Sequence, residues 1–172
     1  MKKLLKKFFS YMEKSYVKKH NLILVPGTEY GYVYIDIHNY KGEDVTLSDG
    51  TIVTKGDTVA EIHINNSRIE EVSIKKVIKV FTSEMHAMAR TLKNNDEYKD
   101  IKAVYGRTVL YPLTKRLGFD TFEVKTKRTF IKIWDNLIRV AFSSSKNDKK
   151  MFREPKEVWI SSTTIMKTLG DK

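Results

Sequence analysis

The chain has 172 residues and reads as a single domain of ordinary size, since one core usually spans about 100–200 residues. Hydrophobic residues make up 41% and charged residues 31%, which supplies a real core and excludes a chain disordered by composition. The 32 Lys and Arg against 21 Asp and Glu leave a net charge of +11, favouring an anionic partner or surface, and the lack of cysteine excludes disulfides, thiolate zinc sites, iron–sulfur clusters and a thiol nucleophile.

Residues 1–20 place Leu4, Leu5, Phe8, Phe9, Met12 and Tyr16 at three- and four-residue steps, with Lys2, Lys3, Lys6, Lys7 and Lys14 mostly on the other side. This spacing predicts a basic amphipathic helix. Its apolar runs are far shorter than the ~7–15 residues of a signal peptide, and nothing later approaches the ~18 needed to span a bilayer. The expected location is the cytoplasm, with the helix either docked on the body or lying peripherally on an anionic membrane surface. The expected division is this helix over 1–22 and one mixed domain over 23–172.

Beyond Pro26-Gly27, alternation predicts a strand from Gly31 to Tyr40, with Val33, Ile35 and Ile37 on one face and Tyr34, Asp36 and His38 on the other. The turn pairs at Gly42, Asp49-Gly50 and Gly56-Asp57 mark residues 45–64 as hairpin material. Within it the strand Thr58–Ile64 sets Ala60, Ile62 and Ile64 against Val59, Glu61 and His63. At Ser67 the period changes to 3.6, with a capping box to Glu70. A stripe from Ile74 through Val77, Ile78, Phe81, Met85 and Met88 to Leu92 predicts a helix of roughly 20 residues. A short strand over 101–105, a short helix over 108–117 ending at Gly118, and a strand over 119–124 follow. Then come a helix over 127–142, a polar basic loop over 143–150, a strand over 158–160 and a last helix from Ser161 to Gly170. Together these predict an α+β (mixed α/β) fold: one sheet with a hairpin-rich N-terminal part, covered by helices.

The chemistry-bearing pattern occurs twice. Asp36-Ile37-His38 and Glu61-Ile62-His63 each put a carboxylate and an imidazole on one strand face, the arrangement that orients a general base or a metal ligand. The same pattern is also found on a merely solvated face. If the strands are neighbours, Asp36, His38, Glu61, His63 and Asn65 share one surface. Tyr105-Gly106-Arg107-Thr108 reads as a strand-to-helix loop whose free amides could seat an anion, with Thr108 as the helix cap. Neither GxxxxGK[ST] nor GxGxxG occurs, so no nucleotide cofactor is expected. No metal is assigned. The lysines are dispersed and no nucleic-acid-binding motif is present, so nucleic acid is not the expected partner.

Three blocks stand in order: Ser48-Asp-Gly-Thr with Gly56-Asp-Thr-Val-Ala-Glu-Ile-His-Ile-Asn65, then Val104-Tyr-Gly-Arg-Thr-Val-Leu with Arg116-Leu-Gly-Phe, then Pro155-Lys-Glu-Val-Trp-Ile-Ser161 with Gly170. Over about residues 30–170 the chain resembles the YkoP-like domain, a bacterial domain found alone or attached to polysaccharide deacetylases. The resemblance implies that Asp57, Glu61, His63 and Asn65 form one motif, Tyr105, Gly106 and Thr108 a second, and Trp159 with Ser161 a third. It brings no established reaction, and its company hints at cell-envelope glycan or glycolipid metabolism.

The expected function is therefore an accessory domain binding an anionic or glycan-related ligand. Asn65, Asp36, His38, Tyr105, Gly106, Arg107, Thr108 and Trp159 are its contacts. One alternative is a transferase or hydrolase with His63 as general base oriented by Glu61. The other is a basic interaction module for membrane or nucleic acid.

Overall fold

A computed structural model of the chain describes residues 11, 14–64, 74–108, 111–124 and 155–171. The helix expected over 127–142, the basic loop 143–150, the Ser67–Glu70 cap, Asn65 and most of the first 13 residues lie outside the described residues. Helix α1 covers residues 14–19. The strands are β1 (Ile23–Leu24), β2 (Val33–Asn39), β3 (Val45–Thr46), β4 (Ile52–Val53), β5 (Thr58–Ile64), β6 (Ala103–Thr108), β7 (Asp120–Phe122) and β8 (Lys156–Ser161). Helices α2 (Ile74–Asn94), α3 (Tyr111–Arg116) and α4 (Ser162–Leu169), with a short 3-10 turn at Asp96–Tyr98 after α2, complete the described elements. The fold is α+β, as the periodicities imply. No described helix is long and apolar enough to cross a membrane.

Six strands form one sheet in the order β1-β2-β5-β6-β8-β7, and β3 and β4 make a separate hairpin. Only β5 and β6 run parallel, because α2 and the turn after it intervene; the other neighbours are antiparallel. Period-two alternation gives the sheet two different faces. On one, Val33, Ile35, Ala60, Ile62, Val104, Val158 and Ile160 meet Phe81, Met85, Met88 and Leu92 of α2 and Ile165 and Leu169 of α4, the main core. On the other, Val59, Ala103 and Trp159 are covered by Leu47 and Val53 of the β3–β4 hairpin.

Two tethers fix this frame. The fully buried Glu84 carboxylate on α2 accepts from the amides of Gly31 at 3.0 Å and Val33 at 3.3 Å and from the Thr28 hydroxyl, holding the entry to β2 against the helix. At the hairpin, Asp49 accepts from the hydroxyls of Ser161 and Thr164 at the start of α4, and the Ser48 amide donates to Asp120 at 2.8 Å. Burial opposes the charge of Asp49, but the hydroxyls of Ser161 and Thr164 and the Thr51 amide outweigh it and hold its carboxyl far below the usual range.

One expectation is corrected. Residues Tyr105–Thr108 are not a loop before a helix. They are the second half of β6, paired with Trp159, Val158, Glu157 and Lys156, and α3 begins only at Tyr111. Gly106 is there because β5 is close: a Cβ would sit 2.5 Å from Ile62 Cγ1 and 3.0 Å from the Ile62 carbonyl oxygen. Replacing Gly106 with Val should therefore lower stability by about 1–3 kcal/mol, read as an earlier urea midpoint. An unchanged midpoint would contradict the close approach of the two strands.

Candidate functional site

The register arranges the second sheet face in rungs that cross the strands. One rung reads Asp36, Glu61, Tyr105 and Trp159, followed by Asp120. His38 stands level with Val59 on one side of it, and Tyr34 with His63 on the other. Arg107, two residues beyond Tyr105, shares this face. Gly106 and Thr108 point to the opposite one. The hairpin covers the Val59–Ala103–Trp159 end, while Tyr16 of α1 meets His63 edge-on with ring centroids 5.5 Å apart.

Between them lies a half-buried polar cluster. The Tyr105 hydroxyl lies 3.0 Å from Glu61 Oε2 and 3.2 Å from His38 Nε2. Its single proton goes to the carboxylate, the stronger acceptor, and His38 Nδ1 faces Asp36 Oδ1 3.7 Å away. His63 Nε2 sits 3.8 Å from Glu61 Oε2, outside hydrogen-bond range. Both His38 Nδ1 and His63 Nε2 are shielded from solvent with no hydrogen-bond partner. Asp36, Glu61 and His63 can each bring one donor atom within 4.8 Å of the others, the spacing of a cation site.

The electrostatics keep the imidazole of His63 uncharged. Burial pushes its pKa below the ordinary value and outweighs the opposite pull of Glu61 and Asp36. Burial, with the Glu61 charge beside it, pushes the Tyr105 hydroxyl far above the usual phenol range, so it stays a donor. Burial raises Tyr16 as well, with Glu61 and then Asp36 adding to it. The cluster thus holds two carboxylates, a neutral imidazole at His63 and one phenol.

The structure brings together Asp36, His38, Glu61, His63 and Tyr105, with Arg107 on the same face. Trp159 is corrected as a ligand contact: it is buried and stacked 4.2 Å behind Tyr105, where it fixes the phenol ring. The anion seat at Tyr105–Thr108 is corrected too: these residues are strand paired with β8 and α3 begins only at Tyr111, so they form no helix N-terminus. Asp57 is a turn staple, accepting from the Thr54 amide at 2.7 Å and from Lys102 Nζ at 2.8 Å. Ser161 caps α4 by accepting from the Thr164 amide at 2.9 Å. Two neighbours escaped the sequence. Tyr40 packs edge-on against Trp159 at 5.3 Å and was legible as the next alternating position after His38; Tyr16 was legible on the apolar stripe of the N-terminal helix, but its contact with His63 was not.

The YkoP domain family model matches residues 2–169, nearly the whole chain. The chain belongs to the YkoP domain family. The YkoP match takes in the N-terminal helix, which the resemblance read over 30–170 left outside. Among curated proteins the chain is similar to "Uncharacterized protein YkoP" of Bacillus subtilis (strain 168), 30% identical over 108 residues covering 58% of this chain and 59% of that protein. The chain therefore spans 59% of the length of the curated relative it matches. No solved structure matches.

In this YkoP domain the Tyr105 hydroxyl is what holds Glu61. Tyr105→Phe keeps the stack on Trp159 and removes the donor, and should cost about 1 kcal/mol in urea unfolding. A variant as stable as the wild type would show that the bond carries no weight.

Proposed function

We propose that this domain binds a hydroxyl-rich, glycan-related ligand of cell-envelope metabolism on the polar part of its second sheet face. The observation that carries the reading is the close spacing of hydrogen-bonding groups on one face. Asp36 and Glu61 offer carboxylate oxygens, His38 Nδ1 and His63 Nε2 lack partners, and the one phenolic proton is engaged by Glu61. With the Arg107 guanidinium on the same face, the surface offers acceptors and donors together, so its complement is a ligand whose groups both donate and accept at close spacing, as sugar hydroxyls do. An anionic ligand would meet two carboxylates, and Tyr105–Thr108 form strand rather than the helix N-terminus that favoured it. The envelope context is an analogy from the family's occurrence beside polysaccharide deacetylases.

The acid–base alternative is less well supported. A general base needs its orienting carboxylate within hydrogen-bond reach, yet Glu61 Oε2 is 3.8 Å from His63 Nε2 and 3.0 Å from the Tyr105 hydroxyl.

Amide NMR spectra of the full chain titrated with N-acetylglucosamine oligosaccharides test the reading. Shifts are expected in Tyr34–His38, Val59–His63 and Ala103–Arg107 and are expected to vanish in Asp36→Ala. No shifts, or shifts confined to the lysines of residues 14–19, would overturn it.

A further inference from the structure

We infer that Asp36, Glu61 and His63 form a site for one first-row divalent transition cation of the Zn2+ type. The two carboxylates come from neighbouring strands and are directly opposite in the register, so their Cβ atoms are about 4.5–5.5 Å apart. Like charges so placed repel, and in a chain whose net charge is +11 nothing in composition demands two acids here. A cation turns that repulsion into attraction.

The third ligand is a separate observation. His63 Nε2 is shielded from water, has no hydrogen-bond partner, and lies beside Glu61 at 3.8 Å. A buried imidazole nitrogen without a partner is costly, and coordination would satisfy it. The three donor atoms already lie within 4.8 Å of one another, so modest side-chain rotation closes them on an ion. An outer group is in place as well: Tyr105 donates to Glu61, the kind of support that orients metal-binding carboxylates.

The donor set selects the ion. Ca2+ and Mg2+ take oxygen ligands and more of them, whereas two carboxylates and one imidazole suit Zn2+ or a neighbouring transition ion. Three protein ligands leave a coordination position for water or a ligand hydroxyl. The site shares residues with the proposed glycan surface, but the metal alone decides whether it exists.

The test is isothermal titration calorimetry of the full chain with ZnCl2 after chelator treatment and dialysis. One equivalent is expected to bind, and Asp36→Asn and His63→Ala should each weaken it by at least about tenfold. His86→Ala serves as the control and should bind as the wild type does, since that imidazole sits on α2 with Nδ1 2.9 Å from the Leu169 carbonyl oxygen. Asp36→Asn removes one of two repelling charges and should stay folded, so it carries the test if His63→Ala does not. No binding by the wild type, or unchanged binding in Asp36→Asn, overturns the site. Zinc binding without oligosaccharide shifts would leave this inference standing and reject the glycan reading; oligosaccharide shifts without zinc binding would do the reverse.

Discussion

Asp36 and Glu61 face each other across β2 and β5, and the rest of the molecule explains why they cannot move apart. The same register that opposes them pairs Ile35 with Ile62 and Ile37 with Ala60 on the other face, where Ile35 and Ala60 are fully buried beneath the helices. Slipping by one residue would relieve the carboxylates and turn the isoleucines outward, at the loss of the core. The end of the ladder is pinned as well. The Tyr40 amide donates to the Asp57 carbonyl, the Gly56 amide donates to the Tyr40 carbonyl, and the Asp57 side chain holds Thr54 and Lys102. The core therefore imposes the electrostatics of the opposite face.

A comparison of carboxylates within the chain shows what is unusual there. Glu84 is more deeply buried than either site residue, yet backbone amides and a hydroxyl satisfy it, and it reads as a structural tether. Asp49 and Asp57 likewise have hydroxyl, amide or ammonium partners that keep their charge favourable. At the site, Tyr105 supports Glu61, while His38 Nδ1 and His63 Nε2 are shielded from water without a hydrogen-bond partner. Sites that break a local rule inside an otherwise consistent fold are where function is expected. Membership of the YkoP family adds the fold's identity without supplying a reaction, so the case rests on the side chains.

Much of this was legible in the chain. Alternation over 33–39 and 58–64 gave both the strands and their polar faces, because period two leaves no other arrangement for Asp36 with His38 or Glu61 with His63. The stripe from Ile74 to Leu92 gave α2, and Ser161 with Gly170 bracketed α4. Gly106 misled, since a glycine beside a charged residue looks like a turn when its true reason, the approach of Ile62, comes from a strand more than 40 residues earlier. Trp159 misled for a related reason: an aromatic near a strand end reads as a contact until the β3–β4 hairpin is seen to cover it. Strand order, and the contacts of Tyr16 with His63 and of Tyr40 with Trp159, join residues distant in sequence, which local patterns do not encode.

The most direct measurement is a double-mutant cycle on the metal-free chain, with Asp36→Asn, Glu61→Gln and the pair compared by urea unfolding. If the register holds two like charges in opposition, each single substitution relieves the same repulsion. Each should then stabilise the fold, and the double should gain less than the sum, with a coupling of about 0.2–1 kcal/mol. Two destabilising substitutions whose effects simply add would mean that the carboxylates do not oppose one another, and the account of this face would fall with them.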